Sequence, residues 1–116
     1  MISVVLVDDQ TLVRQGVRNL LELSDSIRVV AEAADGVQAI ELIPRLKPDV
    51  VLLDMRMPNL SGLDVLKTLT ARGQLPPTII LTTFDDDQLV LAGLKAGARG
   101  YLLKDVTLDQ LVDAVK

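Results

Sequence analysis

The sequence has no cysteine, no histidine and no tryptophan, and holds a single phenylalanine and a single tyrosine. Absence of thiols excludes a disulfide framework and a thiol nucleophile. Absence of imidazole excludes a Ser-His-Asp triad, histidine-ligated zinc and haem held by histidine. Cationic charge is also scarce, with 12 Lys and Arg against 16 Asp and Glu and a net charge of −4. A grip on nucleic acid needs a cationic face, so none is expected within these residues. Long apolar runs are missing as well. The N-terminal run Ile2–Val7 breaks at Asp8 and Asp9, too soon for a signal peptide or a membrane span. A soluble, cytoplasmic protein without membrane attachment is the expectation. Its chemistry must come from carboxylates, hydroxyls, Lys or Arg.

What remains is an aliphatic chain of 116 residues, 49% hydrophobic. That length suits one domain, able to bury roughly two-thirds of its unfolded surface. Hydrophobic content is too high, and charge too ordinary, for wholesale disorder. Five short apolar runs stand at Ile2–Val7, Ile27–Ala33, Val50–Leu53, Thr78–Leu81 and Tyr101–Leu103. Several are continuous in Val, Ile and Leu, as strands covered on both faces are. Stretches of helical period alternate with them: Leu12–Leu23, Val37–Leu46, Leu63–Leu69, Leu89–Ala96 and Leu108–Val115. Ser61 and Asp64 have capping-box spacing, and Thr107 suits an N-cap. Lys47-Pro48 and Gly97 mark helix ends, while Pro44 is expected to kink the second helix or end it early. There is no internal repeat, low-complexity tract or linker.

Five βα units of this size predict an α/β fold, a single parallel five-stranded sheet with helices on both faces. The flavodoxin-like order 2-1-3-4-5 is the most economical, and it opens a crevice beyond the C-terminal ends of strands 1 and 3. The residues that follow the strands converge there. Asp8 and Asp9 follow strand 1, Asp54 follows strand 3, Thr82 and Thr83 close strand 4, and Lys104 follows strand 5. Three carboxylates in one crevice repel one another unless a cation joins them. Donors that are all oxygen select a hard ion, and Mg²⁺ is the expected one. Asp9 taken alone fits a helix cap as well as a ligand.

These residues carry a resemblance. VVLVDDQ at Val4–Gln10, PDVVLLDMRMPNLSG at Pro48–Gly62, ILTTFDD at Ile80–Asp86 and AGARGYLLKD at Ala96–Asp105 follow one another as in a response-regulator receiver domain of two-component signalling. The wording of LVDDQ, LTTFDDD and GARGYLLKD is most similar to the NarL/FixJ (LuxR-type) branch. The resemblance spans residues 1–116 as one receiver domain. It implies that Asp54 accepts a phosphoryl group from a histidine kinase, and that Asp8, Asp9, Asp54 and the Arg56 backbone carbonyl hold Mg²⁺. It further implies Thr82 as switch hydroxyl, Lys104 as the phosphoryl-binding ammonium and Tyr101 as switch aromatic. Thr83 competes for the role of Thr82, which the strand register favours. Arg56 and Phe84 stand where family members vary and tune loss of the phosphoryl group.

The chemistry of the residues agrees with those roles. A carboxylate can attack phosphorus to give an aspartyl phosphate, and positive charge on the equatorial oxygens does most of the remaining work. With no histidine, the chain cannot be its own phosphohistidine donor. By the same resemblance, output passes to a helix-turn-helix DNA-binding domain outside these residues, with homodimerisation on phosphorylation. The dimer face is either the first and fifth helices or the fourth helix, strand 5 and fifth helix. The alternative is a receiver that signals alone, by protein docking. Enzymatic rivals fit poorly. A flavin phosphate would meet Asp8-Asp9-Gln10, neither GxGxxG nor GxxxxGK[ST] occurs, and an aspartate-nucleophile phosphatase would place an acid where Arg56 stands.

Overall fold

The structure, a computed structural model, describes residues 1–57, 60–82, 87–103, 113 and 115. Its strands are β1 (Ile2–Val7), β2 (Ile27–Ala33), β3 (Val50–Asp54), β4 (Thr78–Thr82) and β5 (Gly100–Leu103). Its helices are α1 (Thr11–Glu22), α2 (Gly36–Leu46), α3 (Gly62–Ala71) and α4 (Asp87–Lys95). The strands form one sheet in the order β2-β1-β3-β4-β5, every pairing parallel, as the alternation of elements predicts. Asp113 and Val115 are helical; the rest of the fifth predicted helix, with Thr107, lies outside the described residues.

Strand periodicity divides the core. Val5 and Val7 of β1, Val51 and Leu53 of β3 and Ile80 of β4 pack with Ala39 and Ile43 of α2 and Val65, Leu66 and Leu69 of α3. The alternate residues, Val4, Leu6, Leu52 and Leu81, pack with Val17 and Leu21 of α1 and with Val115. Every residue of β3 is buried, which is why that run reads as continuously apolar rather than alternating. Among the described residues the buried core is aliphatic apart from Met55.

The edge strand β2 departs from simple alternation. Val4 pairs with Val29 but Val5 pairs with Ala31, a one-residue register shift that leaves Val30 out. Ile27 and Val29 therefore pack on the α1 side, whereas Ala31 and Ala33 pack on the α2 side. Glu32 then faces α1.

Helix boundaries follow local chemistry. Ser61 caps α3 by a capping box, its Oγ accepting from the Asp64 amide while Asp64 accepts in return from the Ser61 amide. Asp35 caps α2 by accepting from the Gln38 amide at 2.9 Å. Lys47 ends α2 in the left-handed region, φ 48°, directly before Pro48. Of the two expected effects of Pro44, a kink or an early end, the early end does not occur: α2 runs through it to Leu46. Pro44 lies so near the C-terminus that little helix follows it to be disrupted. Helix α4 closes at Gly97, φ 124°, where the Ala98 amide reaches the Gly93 carbonyl and the Gly97 amide reaches that of Leu94. Among the described residues no helix is long and apolar enough to cross a membrane.

Candidate functional site

Parallel register builds the site at the C-terminal end of the sheet. Val7 pairs with Leu53, so the next residue on each side, Asp8 and Asp54, emerges at the same level. Asp54 in turn pairs with Leu81, and Thr82 follows it. One carboxylate oxygen from each of Asp8, Asp9 and Asp54 lies within 4.8 Å of the other two. Asp8 is 0% and Asp54 3% exposed, while Asp9 opens to solvent. Gln10, not Asp9, is the N-cap of α1, so the capping alternative for Asp9 does not hold.

Backbone donors orient two of the acids. The Gln10 amide donates to Asp8 Oδ1 at 2.8 Å, and the Arg56 amide donates to Asp54 Oδ1 at 3.1 Å. The Asp8 amide donates to the Ala33 carbonyl at 3.1 Å, tying the turn after β1 to the end of β2. Below Asp54, α3 presses close. A Cβ on Gly62 would stand 2.4 Å from the Asp54 carbonyl oxygen, so that position admits only hydrogen. Arg56 is exposed and stands two residues after Asp54.

Two acids buried together and a third at the mouth form a hard, anionic donor set. That set suits a divalent cation which keeps part of its water shell and takes only a few carboxylates from the protein.

Other expected site residues are placed as follows. Thr82 is buried at the end of β4, one residue beyond the partner of Asp54. Tyr101 sits on β5 opposite Ile80 and is 55% exposed. Lys104, Thr83 and Phe84 lie outside the described residues; Lys104 directly follows Leu103, which pairs with Thr82.

One group was not anticipated. Arg14, in the first turns of α1, donates from Nη1 to the Asp8 carbonyl at 2.7 Å and from Nε to Glu32 Oε1 at 2.9 Å. Arg18 joins Glu32 and also Glu22, at 2.9 Å, and these hydrogen bonds raise its pKa further. The spacing of Arg14, Arg18 and Glu22 by four residues was the available signal.

Comparison with known proteins agrees with this geometry. The sequence profile of the response regulator receiver domain matches residues 4–116. The nitrate/nitrite response regulator protein NarP of Escherichia coli is 50% identical over 114 residues, covering 98% of this chain and 53% of that protein. The nitrate/nitrite response regulator protein NarL of the same organism is 37% identical, covering 97% and 52%. Among solved structures, the signal receiver domain of the putative response regulator NarL from Mycobacterium tuberculosis superposes with a TM-score of 0.92 at 41% identity, covering 98% of this chain and 92% of that one. The chain spans about half the length of the curated relatives it matches.

Proposed function

This chain belongs to the response regulator receiver domain family, in its NarL/LuxR-type branch, and on that premise we propose that Asp54 is its phosphoryl acceptor. The observation that carries the proposal is the convergence of Asp8, Asp9 and Asp54 where β1 and β3 end side by side. The donor proposed from the family is the phosphohistidine of a sensor kinase; these residues hold no histidine of their own. A carboxylate oxygen of Asp54 forms the new P–O bond as the P–N bond breaks. The electron pair stays on the imidazole nitrogen, which then takes a proton. Asp54 is suited to that attack because its other contacts are rigid: the Arg56 amide holds Oδ1 and strand β3 holds its backbone.

Asp8, Asp9 and Asp54, with the Arg56 carbonyl, would hold Mg²⁺. Bound there, that ion supplies positive charge to the phosphoryl oxygens and relieves repulsion between them and the acids. Lys104, which follows Leu103 in sequence, is assigned the same electrostatic task. Thr82 is the hydroxyl that turns to the phosphoryl group, and Tyr101 is the aromatic that responds at the edge strand. Phosphorylation thereby shifts the population of two states of the domain. Residues 1–116 act as one receiver in the cytoplasm and turn over no separate substrate. They promote only gain and loss of their own phosphoryl group. Homodimerisation and transcriptional output through a helix-turn-helix domain in a further segment complete the reading.

The test is incubation with acetyl phosphate and Mg²⁺, followed by intact mass measurement. The wild-type chain gains one phosphoryl group, and Asp54→Asn gains none. Equal gain in both would refute the assignment.

A further inference from the structure

We propose that Arg14 is a positioning residue for the acidic centre, and that Glu32 is the post to which it is anchored. The inference rests on the metal reading of Asp8, Asp9 and Asp54 and deepens it. Asp8 is held through its amide by the Ala33 carbonyl, through its Oδ1 by the Gln10 amide and, third, through its carbonyl by Arg14 Nη1. The third contact fixes the plane of the Asp8–Asp9 peptide. That plane sets where Asp9 leaves the backbone, and Asp9 is the exposed member of the three acids.

The Gln10 side chain does not cap α1, and the first turn of that helix carries no acid. The Arg14 side chain is 16% exposed and Glu32 21%, so the pair is more sheltered than an ordinary surface ion pair. The guanidinium uses its planar fork, Nε to Glu32 and Nη1 to the Asp8 carbonyl, so fixing one end orients the other. Arg14, Arg18, Glu22 and Glu32 sum to zero charge, so the network gives the site orientation and not net cation. The register shift in β2 is what turns Glu32 toward α1. A shift of this kind beside a site is a device for re-aiming one side chain. Partners behind metal ligands typically affect metal affinity by about ten- to a hundredfold.

Calorimetric Mg²⁺ titration tests the proposal, paired with thermal unfolding and with NMR of the Asp9 and Gln10 amides. Arg14→Met leaves Glu32 on Arg18, and its expected loss of Mg²⁺ affinity is about tenfold. Arg14→Lys loses affinity too, because one ammonium lacks the planar fork that orients the Asp8 carbonyl from Glu32. Glu32→Gln gives a smaller loss, and Arg14→Met with Glu32→Gln loses no more than Arg14→Met, since Glu32 acts through Arg14. Wild-type affinity in folded Arg14→Met, or full retention in Arg14→Lys, would overturn the positioning role alone. If Arg14→Met does not fold, Glu32→Gln decides: reduced affinity supports the role and unchanged affinity overturns it. A wild-type chain that binds no Mg²⁺ would overturn the metal reading first and this inference with it.

Discussion

At the scale of single residues, the same side-chain type does opposite things at the two ends of the sheet. Asp54 is buried and gathered with two other acids at the C-terminal end. Asp49 is exposed at the N-terminal end, where it accepts from the Ser3 amide at 2.8 Å and the Ser3 hydroxyl at 3.1 Å. The backbone bond foremost, and the hydroxyl after it, hold the Asp49 pKa below the ordinary aspartate range. A carboxylate with a depressed folded-state pKa contributes stability that is fully present above its unfolded value. That contribution fades as pH falls through the folded value. Asp49→Asn is therefore expected to lower stability slightly near neutrality, with the difference from wild type fading as pH falls below about 4, so that the acid limb is flatter. Urea unfolding across that range checks it; an unchanged acid limb would count against the Ser3 clamp. The acids of the site were legible because Asp8 and Asp54 directly follow apolar runs and Asp9 stands next to Asp8. Arg14 was not legible as a site residue, because its partners are a backbone carbonyl and a residue of another strand.

At the scale of elements, two glycines in helices have opposite surroundings. A Cβ at Gly62 would meet the Asp54 carbonyl oxygen at 2.4 Å and Met55 Cα at 2.7 Å, both backbone atoms that cannot step aside. Gly62→Ala is expected to destabilise the chain by ~1–3 kcal/mol and to slow phosphorylation, since α3 must back away from the acceptor strand. Gly16 has nothing within 4 Å of the corresponding position and is exposed in the interior of α1. Gly16→Ala should therefore stabilise by ~0.5–1 kcal/mol with phosphorylation unchanged. Denaturation midpoints and acetyl phosphate kinetics on the two variants check both. Element existence was readable from period, and β1 and β2 match their apolar runs residue for residue. The third run stops at Leu53 while β3 continues to Asp54, because an apolar pattern cannot register a polar residue that stays extended. The face switch within β2 was hidden for a related reason. It comes from pairing with β1, which local sequence does not encode.

At the scale of the whole molecule, two aliphatic layers clamp one sheet, and the site sits where the strands leave both layers. Leu66 is fully buried in the layer beneath α2 and α3. Leu66→Ala is expected to cost ~2–5 kcal/mol, a large share of the ~5–15 kcal/mol typical of a domain. Chemical denaturation measures it directly. The sheet order was legible because five βα units of this length leave few economical topologies. Scarcity of aromatics reads differently with the fold in view. Tyr101 is exposed on the edge strand and takes no part in the core, so Val, Leu, Ile and Ala carry the packing.

The central claim is that one carboxylate among three adjacent acids receives the phosphoryl group. Borohydride reduction of the phosphorylated chain, followed by peptide mass mapping, reads this directly, because an acyl phosphate is reduced to an alcohol while a free carboxylate is not. The expected result is a single modified site at Asp54, dependent on Mg²⁺. Modification at Asp8 or Asp9, or at several acids in proportion to their exposure, would contradict it.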